Sequence, residues 1–240
     1  MLSTVYKMLV IHLGNPPESF DWQTRDKKKR FHRFKNLTPL SFFNEHVEID
    51  LNELVCLINC PMSDKEYNKV YTVEFLGNVF EGNPIRYLNA DIDILKNATT
   101  ESLKNNDPVW FGCDVGKYLH RTHGVMDTKL FDFNLFYGTK FTLDKASRLE
   151  YGESKMTHAM LFTGVDLDSK RNPKKWRVEN SWGERNGKKG YYIMSDDWFD
   201  QYLYEVVINK KYLESNIIDL YENQDAKLLP PWDPMGALAK

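Results

Sequence analysis

The sequence lacks any long hydrophobic run and any strong excess of one charge. No stretch of its 240 residues approaches the roughly 18 apolar residues in a row that a membrane-spanning helix needs. Lysine and arginine number 32, aspartate and glutamate number 34, and the formal net charge is −2. Nucleic acids and anionic membranes attract proteins with a marked positive excess, so the composition favours neither partner. We expect no membrane contact.

Cysteine is scarce as well. The three residues of this type are Cys56, Cys60 and Cys113, and so few thiols in an odd number are typical of a reducing compartment. Cys56 and Cys60 have no second pair of ligands at zinc-site spacing, so we expect no metal site and no other cofactor. The N-terminal apolar run is interrupted by Lys7 and His12 and lacks a small-residue cleavage site, which does not fit a secretory signal. We therefore expect a cytoplasmic protein.

The elements that are present divide the chain near residue 105. Residues 1–105 are rich in helix signals and loops: Gly14 is placed to end a first helix, Thr38 to begin a second and Asp91 to begin a third. Residues 106–240 contain short β-rich runs, at 109–115, 158–167, 175–180, 190–195 and 204–213. Consecutive strands with short links favour an antiparallel, barrel-like sheet. The predicted fold class is α+β.

A basic run, RDKKKRFHRFK, spans Arg25 to Lys35. Such a run is typical of a solvated surface loop or hairpin. Phe31 and Phe34 are interleaved with the charges and leave open a stacking or interface role, including contact with nucleic acid. The near-neutral total charge of the chain weakens this second interpretation.

His158 and Asn180 form the strongest candidate for a chemical site. His158 begins the strand HAMLFTGVDL, and Asn180 ends the strand KWRVEN. If these strands are antiparallel neighbours, the imidazole and the amide meet at one end of the sheet, and an amide oxygen bound to one ring nitrogen fixes the direction of the other. Trp182 would keep water away from this hydrogen bond. A histidine with a purely structural role and a plain turn at NSWG are the alternatives.

The motifs around these residues are similar to those of one protein family. In combination, THA, WRVENSWG and KGYY resemble the papain-like cysteine peptidases, whose site is a Cys-His-Asn triad. Further segments resemble the bleomycin hydrolase and aminopeptidase C branch of that family: IHLGNPP, LTPLSFFNEHV, YNKVYTVEFLGN, VWFGCDVGK, YGESKMTHAM, KWRVENSWGE and PPWDPMGALAK. Together they run from the first predicted helix to the last residue.

The resemblance implies a fold, an activity and an assembly. The fold would be the antiparallel β-barrel half of a papain-like domain (106–240) plus a helical and loop-rich insertion (1–105). The activity would be that of a cytosolic cysteine aminopeptidase, which removes N-terminal residues from peptides and hydrolyses bleomycin-like amides and homocysteine thiolactone. His158 would be the base, Asn180 would orient it and Trp182 would support the pair. The partners would be peptides with a free amino terminus and identical copies in a homohexamer, with the insertion making the contacts.

The nucleophile of the triad has no counterpart in this sequence. The resemblance implies a cysteine followed by tryptophan at the start of a long helix, and none of the three cysteines has that neighbour. We interpret the chain as matching the C-terminal portion of such an enzyme, which supplies the base and its orienter but is inactive alone. The alternative is a catalytically inactive fragment, or a scaffold or interaction protein, that retains the fold.

The C-terminal segment LLPPWDPMGALAK is the last candidate. Its three prolines restrict the backbone, and Trp232 and Met235 are predicted to be apolar anchors. The resemblance implies that an arm runs into the active-site cleft, where the terminal carboxylate of Lys240 meets the free amino group of a substrate. The residues of this arm are Gly236, Ala237, Leu238, Ala239 and Lys240. A frayed terminus is the alternative.

Overall fold

The computed structural model describes residues 1–47, 49–77 and 82–239, with the backbone alone for 237–239. These residues form two compact units, Met1–Leu51 and Asn52–Lys240. No helix in the described part of the chain is long and apolar enough to cross a membrane.

The first unit consists of a helix, a hairpin and a short second helix. Its elements are α1 (Leu2–Leu13), β1 (Phe20–Arg25), β2 (Phe31–Leu37) and α2 (Pro39–Phe42), followed by a π-helical turn (Phe43–Val47). As predicted, Gly14 ends α1 and Thr38 begins α2, where the Thr38 hydroxyl accepts a hydrogen bond from Ser41 N at 3.1 Å. The basic run forms the antiparallel hairpin of β1 and β2.

Aromatic side chains hold this first unit together. Trp22 stacks on Phe34 with ring centroids 5.2 Å apart and meets Phe42 edge-on at 5.0 Å. His46 joins the group, 4.5 Å from the Phe34 ring. Half-buried and exposed side chains alternate along most of the hairpin, so Trp22 and Phe34 share its inner face. The core of this unit is therefore a small aromatic group.

One acidic residue organises the turn of the hairpin. Asp26 accepts hydrogen bonds from the backbone of Lys28 and Arg30 at 2.9 Å, and from Arg30 Nε at 2.7 Å. The bonds from Arg30 lower the pKa of the Asp26 carboxyl. The guanidinium of Arg25 lies 5.7 Å from the centre of the Phe31 ring. The charges of the hairpin are thus partly paired, and its contact with nucleic acid stays a prediction.

Among the described residues, a mostly antiparallel sheet of eleven strands dominates the second unit. The strands are β3 (Leu54–Ile58), β4 (Lys69–Val73), β5 (Tyr87–Asn89), β6 (Val109–Cys113), β7 (Leu119–His120), β8 (Val125–Met126), β9 (His158–Leu167), β10 (Pro173–Glu179), β11 (Tyr191–Ser195), β12 (Leu203–Asn209) and β13 (Lys227–Leu229). Their order is β13-β4-β5-β3-β12-β6-β9-β10-β11-β8-β7. The pairs β3–β5, β4–β13 and β8–β11 are parallel, which the sequence did not predict.

The division predicted near residue 105 differs from the observed one, which falls between Leu51 and Asn52. The reason is the pairing of β3 with β12 and of β4 with β13, which places strands from before residue 105 inside the sheet formed mainly by later ones. Short elements read as an insertion from their local sequence are therefore integral to the larger unit. The local signals of the sequence change from helical to β-rich near residue 105, but the residues on both sides of this point pack in the same unit.

Helices connect several of these strands. They are α3 (Ile92–Lys104), α4 (Phe133–Tyr137), α5 (Lys145–Glu150), α6 (Asp196–Tyr202) and α7 (Ser215–Asn223). As predicted, Asp91 begins α3 by accepting a hydrogen bond from Asp93 N at 3.0 Å. Ser195 likewise begins α6, as an acceptor for Trp198 N at 3.3 Å. The helix α3 packs on β9 and β12.

The main core lies where the central strands meet α6. Phe162 of β9 and Trp176 of β10 are fully buried, with ring centroids 5.2 Å apart. Phe111 of β6 stacks on Phe162 at 3.9 Å, and Phe199 of α6 stacks on Trp176 at 4.8 Å. Buried aromatic pairs of this kind stabilise their neighbours by burial and by ring geometry. The core therefore fixes the ends of β6, β9 and β10, where the candidate site lies.

Candidate active site

His158 and Asn180 meet at one end of the sheet. The strands β9 and β10 are antiparallel, with Glu179 opposite Leu161, so the residue after Glu179 lies near the start of β9. His158 Nε2 and Asn180 Oδ1 are 2.9 Å apart. Asn180 is buried and His158 is half-buried. The two residues singled out from the sequence are thus hydrogen-bonded partners.

The chemistry of the amide assigns the protons of this pair. The Asn180 oxygen can only accept a hydrogen bond, so His158 Nε2 carries the donated proton. In the neutral imidazole the other nitrogen, Nδ1, is then the basic one. The hydrogen bond also fixes the plane of the ring. This arrangement presents a base whose direction and tautomer are both determined.

Trp182 lies against the ring of His158, and Arg121 lies against Trp182. The rings of Trp182 and His158 have centroids 4.8 Å apart and are tilted by 32°. The guanidinium carbon of Arg121 lies 4.1 Å from the centre of the Trp182 ring, which is cation–π geometry. No local sequence signal points to Arg121, because it lies between the short strands β7 and β8 and reaches Trp182 only through the fold.

Hydrogen bonds shape the loop that carries Trp182. Asn180 N donates to Gly190 O at 3.0 Å, which closes the loop at its base. Within it, Asn186 Nδ2 donates to Trp182 O at 2.8 Å. The segment NSWG therefore begins this closed loop, ahead of a turn at residues 184–187, and it also carries Asn180 and Trp182 of the candidate site.

The amide nitrogen of Asn180, Nδ2, has no hydrogen-bond partner among the described residues. Asn180 Nδ2 and the Tyr192 hydroxyl are buried, and neither makes a hydrogen bond with correct geometry among the described residues. Burial raises the pKa of Tyr192, and the nearby Asn180 amide partly offsets this effect. Buried polar groups are usually satisfied, so these two atoms form an unsatisfied polar spot beside the candidate base.

The three cysteines are poor candidates for a nucleophile. Cys113 lies directly opposite His158 in the pairing of β6 and β9, but it is fully buried, and burial raises its thiol pKa well above the ordinary value. Burial also raises the pKa of Cys60, to about 11. For Cys56, burial and the charge of Glu205 raise the thiol pKa, and its Sγ donates to Glu205 Oε1. A reactive cysteine needs the opposite environment, with exposure and nearby positive charge.

The C-terminal segment is described in part. Met235 is 2% exposed, as an anchor should be, whereas Trp232 is 77% exposed, so the prediction of a second anchor is wrong. Trp232 lies in a turn that follows β13, and its ring extends into solvent. Of the predicted arm, Gly236 is fully described, only the backbone is described for Ala237, Leu238 and Ala239, and Lys240 lies outside the described residues.

Comparisons with known proteins agree with the motifs. The sequence profile of the Peptidase C1-like family matches residues 1–236. The chain belongs to that family. It is 45% identical over 239 residues to aminopeptidase C of Listeria innocua and 46% identical over 245 residues to bleomycin hydrolase of Gallus gallus. The family and the α+β class expected from the sequence are confirmed.

A solved structure extends the similarity to the fold. PepW from Lactobacillus rhamnosis superimposes with a TM-score of 0.94 at 48% identity, over 98% of this chain and 53% of that one. The two curated relatives are covered over 54% of their length by all of this chain. The chain therefore spans about half the length of the relatives it matches.

Proposed function

We propose that this chain supplies the base and its orienting amide to a cysteine aminopeptidase of the bleomycin hydrolase and aminopeptidase C type. The observation that carries the proposal is the 2.9 Å hydrogen bond between His158 Nε2 and Asn180 Oδ1 beneath Trp182. A purely structural histidine has no need of a partner that fixes both its tautomer and its plane. The nucleophile, a cysteine thiolate, comes from residues that this sequence does not contain.

In the proposed reaction the thiolate attacks the carbonyl carbon of the first peptide bond, and a carbon–sulfur bond forms. His158, protonated at Nδ1, gives that proton to the leaving amine as the carbon–nitrogen bond breaks. Water then attacks the thioester, His158 Nδ1 accepts its proton, and the acid and the thiolate are released. Asn180 keeps Nε2–H bound throughout, so that Nδ1 faces the reacting atoms.

The substrates and the assembly belong to the same proposal. The names of the relatives, aminopeptidase C and bleomycin hydrolase, support peptides with a free amino terminus and bleomycin-like amides as substrates. Homocysteine thiolactone, a cytoplasmic location and a homohexamer follow from the family resemblance. A role of this chain alone as a scaffold is the second candidate, favoured by the exposed apolar side chains of α1, among them Leu2, Ile11 and Leu13.

The test uses an enzyme that joins this chain to its nucleophile-bearing portion. Turnover of aminoacyl amides should fall by about a thousandfold or more in the His158→Ala variant, because the base and acid are lost. The Asn180→Ala variant should lose about ten- to a thousandfold in kcat, since the base remains but its orientation does not. Initial rates with a fluorogenic aminoacyl amide measure both effects.

Matched controls are His123→Ala and Asn223→Ala, which remove an exposed histidine and an exposed asparagine from the same unit. Both should leave kcat within about twofold of the wild type, because surface changes away from a site have small effects. If the Asn180→Ala enzyme keeps full kcat, Asn180 does not belong to the site. If the wild-type enzyme cleaves no aminoacyl amide, the scaffold function takes the place of catalysis.

A further inference from the structure

An exposed cation lies next to the candidate base. Arg121 is exposed, and its guanidinium carbon is 4.1 Å from the centre of the Trp182 ring, the shortest cation–ring distance among the described residues. The centroid of that ring is 4.8 Å from the centroid of the His158 ring. In the described part of the chain no carboxylate pairs with Arg121, and no acceptor binds its guanidinium. The N–H donors of this side chain are therefore available to a ligand.

Other arginines that lie on aromatic rings also bind an acceptor. Arg86 lies on the ring of Tyr221 and donates to the backbone oxygen of that residue at 2.7 Å. Arg148 lies on another tyrosine ring and donates to Gln201 Oε1 at 2.8 Å. These two guanidinium groups link segments of the fold. Arg121 makes no such link, so its charge has no structural partner and stands beside the candidate site.

A second basic segment lies beside Arg121. The backbone oxygen of Arg121 accepts a hydrogen bond from Gly187 N at 3.2 Å. This bond joins the turn at residues 120–124 to the loop at residues 183–190. The loop carries three exposed cations that pair with no carboxylate among the described residues: Arg185, Lys188 and Lys189.

Positive charge dominates these two segments. Against the four cations, Glu184 is the one acidic residue of the turn and the loop. The chain as a whole has a formal net charge of −2, so the positive excess is local. A local excess of one sign raises the concentration of ligands of the opposite sign and speeds their encounter with the site. This surface therefore fits a ligand that carries carboxylates.

The proposed reaction places part of the substrate beside this charge. His158 Nδ1 gives its proton to the leaving amine, so the leaving portion of the substrate begins next to the imidazole. The ring separations along the stack are 4.8 Å from His158 to Trp182 and 4.1 Å from Trp182 to the guanidinium of Arg121. Together they correspond to about two to three residues of extended chain. A carboxylate one or two residues beyond the cleaved bond is therefore within reach of Arg121.

We propose that Arg121 is a specificity-determining residue that binds a carboxylate on the leaving portion of the substrate, while Arg185, Lys188 and Lys189 attract such substrates from a distance. This inference rests on the aminopeptidase function proposed above. A guanidinium forms two parallel hydrogen bonds with a carboxylate, and its place on Trp182 reduces the freedom that it loses on binding. The favoured substrates are peptides with an acidic residue just after the cleaved bond.

The first experiment uses the enzyme with its nucleophile and two peptides that differ only at the first residue after the cleaved bond, glutamate or glutamine, both with amidated C-termini. In the wild type, kcat/KM should be about tenfold higher for the glutamate peptide. The ratio should fall to about one in Arg121→Met, and to about three in Arg121→Lys, which keeps the charge but not the planar fork. Any loss caused by a looser Trp182 is shared by both peptides and cancels in the ratio.

Two further sets of variants sharpen this experiment. Arg171→Met is the matched control, because Arg171 is exposed and lies in the hairpin between β9 and β10, at the far end of these strands from His158. It should keep the wild-type ratio. Arg185→Gln combined with Lys188→Gln should lower the ratio about twofold and weaken its dependence on salt, because charges at a distance are screened.

The second experiment needs no nucleophile and uses the 240-residue chain. Each of the two peptides is titrated into the chain, and the NMR signal of the Arg121 side-chain N–H is followed; its loss in Arg121→Met assigns it. The signal should shift in a saturable way with the glutamate peptide, and binding of the glutamine peptide should be at least about fivefold weaker. Arg171→Met should leave both titrations unchanged, since that position is remote from the stack.

The outcomes separate this inference from the proposed function. If Arg121→Met slows both peptides equally, Arg121 acts only by holding Trp182, and the inference fails while the aminopeptidase stands. Equal binding of the two peptides in the titration would refute the contact with a carboxylate. A wild-type enzyme without aminopeptidase activity would overturn the proposed function and with it any selection of substrates, while the titration still decides whether Arg121 binds a carboxylate.

Discussion

The two compact units differ in how much apolar surface each encloses within itself. In Asn52–Lys240, large side chains such as Trp176, Trp198 and Phe162 are fully buried. In the described part of Met1–Leu51, Leu37 is the only hydrophobic side chain that is buried, and α1 has no buried residue. Burial of large side chains is the main favourable term in folding. The larger unit therefore encloses a large apolar core of its own, and the described part of the smaller unit does not.

This difference bears on the candidate site. Every side chain of the site, from Arg121 through Trp182 to His158 and Asn180, belongs to the larger unit. A base must be held within a narrow range of positions, which requires elements fixed by packing. The site is therefore placed on the unit with the large core, whereas the smaller unit exposes apolar side chains along α1.

The largest expected effect comes from separating the units. A fragment of residues 52–240 should keep a cooperative unfolding transition and the His158–Asn180 hydrogen bond, because both depend on its own core. A fragment of residues 1–51 should be largely unfolded, since its aromatic group is too small to offset the entropy of ordering the chain. Circular dichroism melts and amide exchange measure both. A cooperative melt of residues 1–51 alone would show that the smaller unit also folds on its own and would contradict this difference between the units.

A second, smaller effect concerns a buried acid inside the larger unit. Burial raises the pKa of Glu205 to about 7, which the hydrogen bond from Cys56 only partly opposes. The folded state then binds a proton more tightly than the unfolded state. Ionisation of Glu205 therefore lowers the free energy of unfolding as the pH rises from the unfolded-state pKa, 4.5, through about 7. The free energy of unfolding of the Glu205→Gln variant, relative to that of the wild type, should therefore increase by about 2 kcal/mol from pH 5 to pH 7.

Urea unfolding at the two pH values measures this gain, and Glu184→Gln, at an exposed position, is the charge-matched control. Burial lowers the pKa of Lys145 to about 7, so its contribution to stability rises with pH near 7, but it is the same in the wild type and the variant and cancels in their difference. A pH dependence that is the same in wild type and Glu205→Gln would mean that this carboxyl is solvated.

The smallest effect on stability is expected at α1. The Ile11→Ser variant should change the free energy of unfolding by less than about 0.5 kcal/mol, because Ile11 is 79% exposed. It should nevertheless reduce binding of a hydrophobic dye and self-association, measured by fluorescence and light scattering. Leu228→Ser, at an exposed position of the larger unit, is the matched control for dye binding. Destabilisation by more than about 1 kcal/mol would show that α1 is packed.

Much of this architecture could be predicted from local signals. Thr38, Asp91 and Ser195 begin helices through bonds to backbone groups two or three residues away, so their effect is visible in a short stretch of sequence. The strands β9 and β10 are long enough to show their type, and their antiparallel pairing brought His158 to Asn180 as expected.

Contacts between distant segments could not be predicted. The two-residue strands β7 and β8 are too short to show a pattern, and the parallel pairing of β8 with β11 is set by tertiary packing. Arg121 reaches Trp182 only because of that pairing. The apolar character of Trp232 predicts an anchor, yet Trp232 is exposed and the charged Asp233 is the buried residue, paired with Lys65.

The most direct test of the central claim, that this chain holds a base and its orienter but no nucleophile, is thiol labelling of the isolated 240-residue chain. An epoxide that alkylates activated cysteines is added at neutral pH, and intact mass is followed over time, with the urea-unfolded chain and a small alkylating reagent as the positive control. We predict no added mass in the folded chain, because burial keeps Cys56, Cys60 and Cys113 protonated. Fast, stoichiometric labelling of Cys113, the cysteine opposite His158, would contradict the account.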